Sequence, residues 1–182
     1  HMANSTPVRY VQLFGYQKNL NYYGNRGTSG IDGSTSTASG IAKKQIGKEH
    51  VLITGDTAFL YDSNALWNRE FPKNLKIIVI NNSGGGIFRI IEGPDQTQEL
   101  EDFFETYHHA DISKLSAAFG FDYLLAENET ELKESLKRFH QIDGPIVLEV
   151  KTEADQNPVV LKNYFKYIRT KIEGELKELV KK

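Results

Sequence analysis

A carboxylate and a carboxamide stand at the ends of two short apolar runs. Gly55-Asp56 follows VLIT (51–54), and Asn81-Asn82 follows IIVI (77–80). Short apolar runs bounded by turn-forming residues read as buried strands, and parallel sheets bind ligands at the carboxyl ends of their strands. Asp56 offers a carboxylate oxygen and Asn82 an amide oxygen. Hard oxygen donors suit Mg²⁺, which takes octahedral oxygen coordination and keeps company with phosphate. The next residues, Ser83-Gly84-Gly85-Gly86, allow backbone to approach a ligand closely. Each piece also has a plain structural reading. Asp at a strand–helix turn is a common helix cap, and Asn pairs serve turns because Asn tolerates left-handed backbone. The two pairs together, with glycines behind the second, favour a ligand site.

The elements that must position these residues alternate. Apolar periodicity predicts a helix over 6–16, with Ser5 or Thr6 as cap and Pro7 in its first turn. A short strand is expected at 21–24. A Gly/Ser/Thr-rich loop then carries Gly24, Gly27, Gly30 and Gly33 into a small-residue helix at 33–47. Strands are expected at 51–54, 75–80, 123–126 and 145–150. Helices are expected at 58–70, with Phe59, Leu60, Leu66 and Trp67 on its apolar side, and at 112–119, 129–140 and 162–182, the last interrupted near Gly174. The acidic stretch 92–107 reads as a loop with a short helix. Alternating strands and helices predict an α/β fold, a parallel sheet with helices on both faces.

Bulk composition narrows the function classes. The chain has 182 residues, 39% hydrophobic and 25% charged, which fits one domain with a real core. A net charge of −2 gives no global attraction for nucleic acid or an anionic membrane. There is no cysteine, so no disulfide framework and no thiolate metal site, in keeping with a cytoplasmic origin. No apolar run is long enough for an integral membrane segment. His1-Met2 reads as a tag remnant, leaving 3–182 as one domain cut from a longer chain.

The spacing of the two pairs, with an apolar strand before each, resembles the thiamine diphosphate motif. Thr57 stands where many members carry a further glycine. That departure, with NRGTSGIDG (25–33) and NNSGGGIF (81–88), is similar to one branch of the family, the 2-succinyl-5-enolpyruvyl-6-hydroxy-3-cyclohexene-1-carboxylate synthases of menaquinone biosynthesis. The resemblance runs over about 5–150 and covers only the C-terminal, diphosphate-binding domain, whose fold is flavodoxin-like. It implies thiamine diphosphate held through Mg²⁺ (or Mn²⁺), with Asp56, Asn82 and the backbone carbonyl of Gly84 as metal ligands. Gly55, Thr57 and Ala58 would cradle the diphosphate at a helix start, and Gly85 would belong to the same ligand loop. Ile31 would be the bulky residue that bends the cofactor, Ser29 would accept a hydrogen bond from its amino group, and Gly30 would lie between them. Ile87 and Phe88 are read equally as cofactor wall or as core.

The same resemblance places Arg26, Ser5 and Arg9 at the substrate site. Its substrates would be 2-oxoglutarate and isochorismate, both carboxylates, for which a guanidinium fork is apt. Arg9 judged alone reads as a surface arginine. The enzyme of this branch decarboxylates 2-oxoglutarate and adds the resulting carbanion to isochorismate. The glutamate that activates the cofactor would come from a pyrimidine-binding domain of a second subunit, so no catalytic residue is assigned here. The fragment alone is expected to be inactive and to self-associate, and the parent to be a homo-oligomer. The alternative within the family is an acetolactate-synthase-like enzyme or another 2-oxoacid decarboxylase. Outside it stands a nucleotide- or flavin-binding module, whose GxGxxG or P-loop spacing is absent. His108-His109 reads as a solvated pair, and the acidic run 99–105 as a solvated face or lid.

Overall fold

The computed structural model describes residues 1–14, 17–91 and 93–180. Its centre is a four-stranded sheet, β1 (His50–Gly55), β2 (Leu75–Asn81), β3 (Asp122–Ala126) and β4 (Ile146–Lys151), in the order β1-β2-β4-β3. All three pairings are parallel. Val, Ile and Leu dominate the inner strands because parallel strands are covered on both faces.

Helices supply that cover. On one face α2 (Ser34–Lys44), α3 (Asp56–Tyr61) and α4 (Ile112–Ala118) bring Ala38, Ala42, Phe59 and Ile112 against Leu52, Ile77, Val79 and Val147. On the other, α5 (Glu129–Gln141) brings Leu132, Leu136 and Phe139 against Leu124, Ile146 and Leu148. α1 (Thr6–Leu13) lies beside β1, and α6 (Gln156–Val180) extends from the end of the sheet. The first residues widen the sheet: the Ala3 amide donates to the Ile53 carbonyl at 2.9 Å, and Met2 forms parallel bridges to both Ile53 and Gly24. The carboxyl ends of this edge, β1 and β2 therefore lie side by side.

Several boundaries differ from expectation, each for a local reason. The strand expected at 21–24 is reduced to the Gly24 bridge. The helix expected at 58–70 instead starts at Asp56, ends at Tyr61 and gives way to a 3-10 turn at Ser63–Ala65, leaving Trp67 70% exposed. The cause is Asp62, buried and turned inward to accept the Ser36 amide at 2.7 Å and the Ser36 hydroxyl. That carboxylate satisfies the start of α2, where helix amides lack internal partners. Ser5 makes no side-chain cap on α1, although Pro7 takes its place in the first turn. The continuation of α1 to Tyr16 lies outside the described residues, as does Glu92. The acidic stretch holds a 3-10 turn at Pro94–Gln96 and a π-turn at Leu100–Phe104. α6 begins at Gln156 and runs through Gly174 without a break; Lys181 and Lys182 lie outside the described residues.

Two buried polar groups bind the strands to their surroundings. Lys76 on β2 reaches beneath the end of α5, donating to the carbonyls of Phe139 and His140 at 2.9 and 3.0 Å and pairing with Glu49 at 2.8 Å. A cation there complements the negative end of the helix. Glu149 on β4 accepts from Asn81 at 2.7 Å and from the Tyr123 hydroxyl at 2.5 Å. Burial, then the bond to Glu149, raises the Tyr123 pKa well above the ordinary tyrosine value.

Two outcomes follow. Phe139→Ala removes a fully buried ring and is expected to cost about 3–5 kcal/mol in denaturant unfolding. Tyr123 is expected to stay protonated beyond the ordinary range near about 10, read by ¹³C NMR of its ζ carbon. Because its folded pKa is the raised one, the stability it contributes is present below about 10 and is lost as pH climbs through the folded value. Glu149→Gln should move that titration down; an unmoved titration would separate the two groups.

Candidate functional site

Asp56 opens α3 from the tip of β1, and its carboxylate is 1% exposed. One oxygen, Oδ2, accepts from the Asn82 amide at 3.2 Å and the Gly84 amide at 3.0 Å, so this side chain ties the tip of β1 to the loop after β2. The other, Oδ1, accepts from the Thr57 amide at 2.6 Å and its hydroxyl at 3.3 Å. Burial raises the Asp56 pKa above the ordinary carboxylate value, and the Thr57 amide, His108 and the two loop amides pull it back only in part. A folded pKa above the unfolded one means that the ionised form costs stability as pH rises through it. A cation beside this carboxylate would offset that cost.

Beyond this tie lies a cavity of about 330 Å³. Gly55, Asp56, Thr57, Ala58, Asn82, Gly84, Gly85, Ile87 and Phe88 line it, as do Ser29 and Ile31 from the glycine loop and Ser5, Arg9 and Arg26. Of the residues expected to bind cofactor, metal or substrate, Gly30 does not line it: its carbonyl is turned to Asn4. Asp56 and Asn82 thus line one cavity. The Thr57 amide, expected to face a phosphate, donates to Asp56 instead.

The glycines after Asn82 have a specific packing reason. A Cβ on Gly84 would sit 2.8 Å from the Glu105 carbonyl, and one on Gly86 would sit 2.6 Å from Nδ2 of Asn82. The loop is therefore clamped between the 104–107 backbone and the Asn82 side chain. The Gly85 amide donates to Glu105 at 2.6 Å and the His108 amide to Ser83 at 3.1 Å. Asn81 continues the brace inward, accepting from the Ser83 amide at 2.8 Å while donating to Glu149.

The segment that clamps the loop corrects two expectations. His108 is not solvated: only 17% of its side chain is exposed, and Nε2 stands 3.3 Å from Asp56 Oδ2. The run 99–105 is not merely a solvated face, since Glu105 is buried and, with Glu101, pairs with Arg89. His109 remains exposed, as expected.

The arginines of the cavity bond to neutral groups. Arg9 donates to the Ser5 carbonyl at 2.6 Å, and Arg26 donates to the Asn4 side-chain oxygen at 2.9 Å. Both acceptors are neutral, and neither arginine joins an ion pair among the described residues. Sequence reasoning missed Asn4, Tyr10, Tyr61, Ile91 and Asn157, all of which line the cavity. Asn4, standing one residue before Ser5, carried no signal of its own.

Four non-glycine residues have positive φ among the described residues: Ser5 (72°), Ser29 (65°), Ser83 (65°) and Thr106 (47°). Ser5, Ser29 and Thr106 line the cavity, and Ser83 lies in the clamped loop. Such conformations cost of order 1–3 kcal/mol each and gather at functional sites. Among the described residues no three His, Cys, Asp or Glu side chains cluster as a metal site. Beside Asp56 stand the His108 imidazole and the loop 82–84, whose Gly84 carbonyl accepts from the Gly86 amide at 3.0 Å.

Comparison with known proteins agrees with this geometry. A relative from Flavobacterium psychrophilum, a 2-succinyl-5-enolpyruvyl-6-hydroxy-3-cyclohexene-1-carboxylate synthase, is 49% identical over 165 residues, which is 91% of this chain and 30% of the relative. A protein of the same name from Porphyromonas gingivalis is 46% identical over 173 residues, covering 92% of this chain and 29% of its own length. The chain thus spans about three tenths of the length of the curated relatives it matches. Residues 5–150 match the family described as thiamine pyrophosphate enzyme, C-terminal TPP binding domain. With its parallel sheet and the cavity at the strand tips, the chain belongs to the thiamine pyrophosphate enzyme family, as that family's C-terminal TPP-binding domain.

Proposed function

We propose that this domain holds the diphosphate and metal of a thiamine diphosphate enzyme that decarboxylates 2-oxoglutarate and joins the product to isochorismate in menaquinone biosynthesis. One observation carries the reading: a buried carboxylate and a carboxamide line one cavity with two arginines that pair with no carboxylate among the described residues. The first pair suits a hard cation, the second suits carboxylate substrates. The names of the relatives support the specific reaction.

Asp56, Asn82 and the Gly84 carbonyl would hold Mg²⁺ or Mn²⁺, with the first turn of α3 facing the diphosphate. Thiamine diphosphate, when bound, supplies the carbanion chemistry. The chain's own residues orient and exclude. Ile31, Ile87 and Phe88 give apolar walls that keep water from the reacting carbon. The Ser29 carbonyl would accept from the cofactor's amino group, and Ser5, Arg9 and Arg26 would hold the substrate carboxylates by hydrogen bonds, charge-assisted at the arginines. The pyrimidine-binding domain and its glutamate would come from a second subunit of a cytoplasmic homo-oligomer, which makes this polypeptide alone inactive.

Isothermal calorimetry of the complete enzyme with thiamine diphosphate and Mg²⁺ tests the site. Asp56→Ala is expected to weaken binding by more than about 100-fold, the upper end of what even an outer-shell partner of a metal is worth. Gly86→Ala should weaken it without touching a ligand, because its Cβ displaces the Asn82 side chain. Retained Mg²⁺-dependent affinity in both variants would remove the metal assignment. Release of CO₂ from 2-oxoglutarate in preference to pyruvate, dependent on isochorismate as acceptor, tests the reaction. The reverse preference selects the acetolactate-synthase-like alternative. The 182-residue polypeptide should release none.

A further inference from the structure

Asn4 stands at the tip of the edge segment, just before the left-handed Ser5, and is 1% exposed. Its backbone position is set by the sheet, since the preceding amide, that of Ala3, donates to Ile53. Its side chain is fully employed. Nδ2 donates to the Asn25 carbonyl at 2.5 Å and to the Gly30 carbonyl at 2.6 Å, the two ends of the glycine loop. Oδ1 accepts from Nη1 of Arg26 at 2.9 Å. A carboxamide has two donors and one acceptor oxygen, and two carbonyls facing Nδ2 leave a single orientation of the amide. Inside the loop the Ser29 amide donates to the Arg26 carbonyl at 2.7 Å, and Ser29 has a φ of 65°.

We propose that Asn4 is a positioning residue that sets two things at once: the direction of the Arg26 guanidinium into the cavity, and the course of the loop that presents the Ser29 carbonyl and Ile31. This rests on the thiamine diphosphate reading above and deepens it. The loop is glycine-rich and makes no strand, so nothing in its own sequence fixes its shape. A single buried amide spans it, closing its ends like a clasp. Arg26 is otherwise exposed, and a long side chain without a partner samples many rotamers. Asn4 gives it a neutral partner, which directs the charge without cancelling it. A carboxylate there would direct it equally well but would neutralise the charge that a substrate carboxylate needs.

The two tasks can be separated by substitution in the complete enzyme that carries this domain. Asn4→Ala removes both. It is expected to raise the KM for the carboxylate substrate and the Kd for thiamine diphosphate, each by about 10- to 100-fold, the worth of hydrogen bonds that involve a charged or buried group. Asn4→Asp keeps an acceptor for Arg26 but turns oxygen toward two carbonyls. It should weaken cofactor binding more than Asn4→Ala does. Arg26→Ala should raise the substrate KM and leave the cofactor Kd within about threefold, and in that background Asn4→Ala should add less than about threefold to KM. A purely structural Asn4 would lower the melting temperature and act additively with Arg26→Ala. Additive effects on KM, or an unchanged KM and cofactor Kd in Asn4→Ala, overturn the proposal. Should Asn4→Ala fail to fold, Asn4→Asp decides: an unchanged cofactor Kd overturns it. Unsubstituted enzyme that binds no thiamine diphosphate with Mg²⁺ overturns the functional reading and this inference with it. Unsubstituted enzyme that binds and turns over, beside an unaffected Asn4→Ala, overturns this inference alone.

Discussion

The arrangement depends on one buried carboxylate shared between two strand tips. Asp56 leaves β1 and receives backbone amides from Asn82 and Gly84 beyond β2. These bonds register the second loop against the first and bring a carboxamide and a carbonyl into the same cavity as the carboxylate. The carboxylate gains four hydrogen-bond donors, and the His108 imidazole stands 3.3 Å away. Four neutral donors leave the charge in place, and burial still pushes the pKa upward. A divalent ion, as proposed above, would offset that imbalance, so the group that fixes the loop geometry would also gain from a metal.

The strain in the structure gathers at this cavity. A fold whose sheet is regular, with no slip in three parallel ladders, concentrates its left-handed serines and threonine at the loops around Asp56 and Arg26. Left alone, such residues would relax. Cross-braces hold them: Asn4 across the 25–30 loop, Asn81 onto Ser83, and Glu105 onto Gly85. Asn4 and Asn81 play one role at neighbouring strand tips, each using a buried carboxamide to tie an irregular loop to the sheet. The energy that keeps the loops bent comes from the core and from these satisfied amides.

What the sequence made legible was whatever its own neighbours determine. The strands at β1, β2 and β4 read clearly because doubly covered strands are unbroken runs of Val, Ile and Leu. Asp56, Asn82, Ser29 and Ile31 could be brought to one cavity because the family resemblance spans both loops and the sheet order puts their strands together. The rest hung on distant contacts. The early end of α3 depends on Asp62 turning to Ser36, and no periodicity in residues 58–70 signals that bond. His108 looked solvated because its partner, Asp56, lies in another element, and adjacent histidines give no hint of which one turns inward. Asn4 was invisible because a lone Asn before a helix has many common uses. The glycines at 84 and 86 were legible as a loop, but their cause was not: they make room for the Glu105 carbonyl and the Asn82 amide rather than for a ligand alone.

The division of positive charge shows how the cavity keeps its attraction for anions. Arg89 sits in the 3-10 turn Gly86–Arg89, directly after Ile87 and Phe88, which face the cavity. Its own side chain points elsewhere and gathers Glu101, Glu105 and Asp155. Those carboxylates draw the π-turn and the start of α6 onto the back of the apolar wall, where Phe88 also packs on Phe104 at 5.4 Å between ring centres. The acidic run thereby spends its charge on Arg89, behind the wall. Arg9 and Arg26, in front of it, bond only to a carbonyl and a carboxamide. Arg89 is therefore more than a surface ion-pair centre: its three acids tie the π-turn and the start of α6 to the back of the wall that Ile87 and Phe88 present to the cavity.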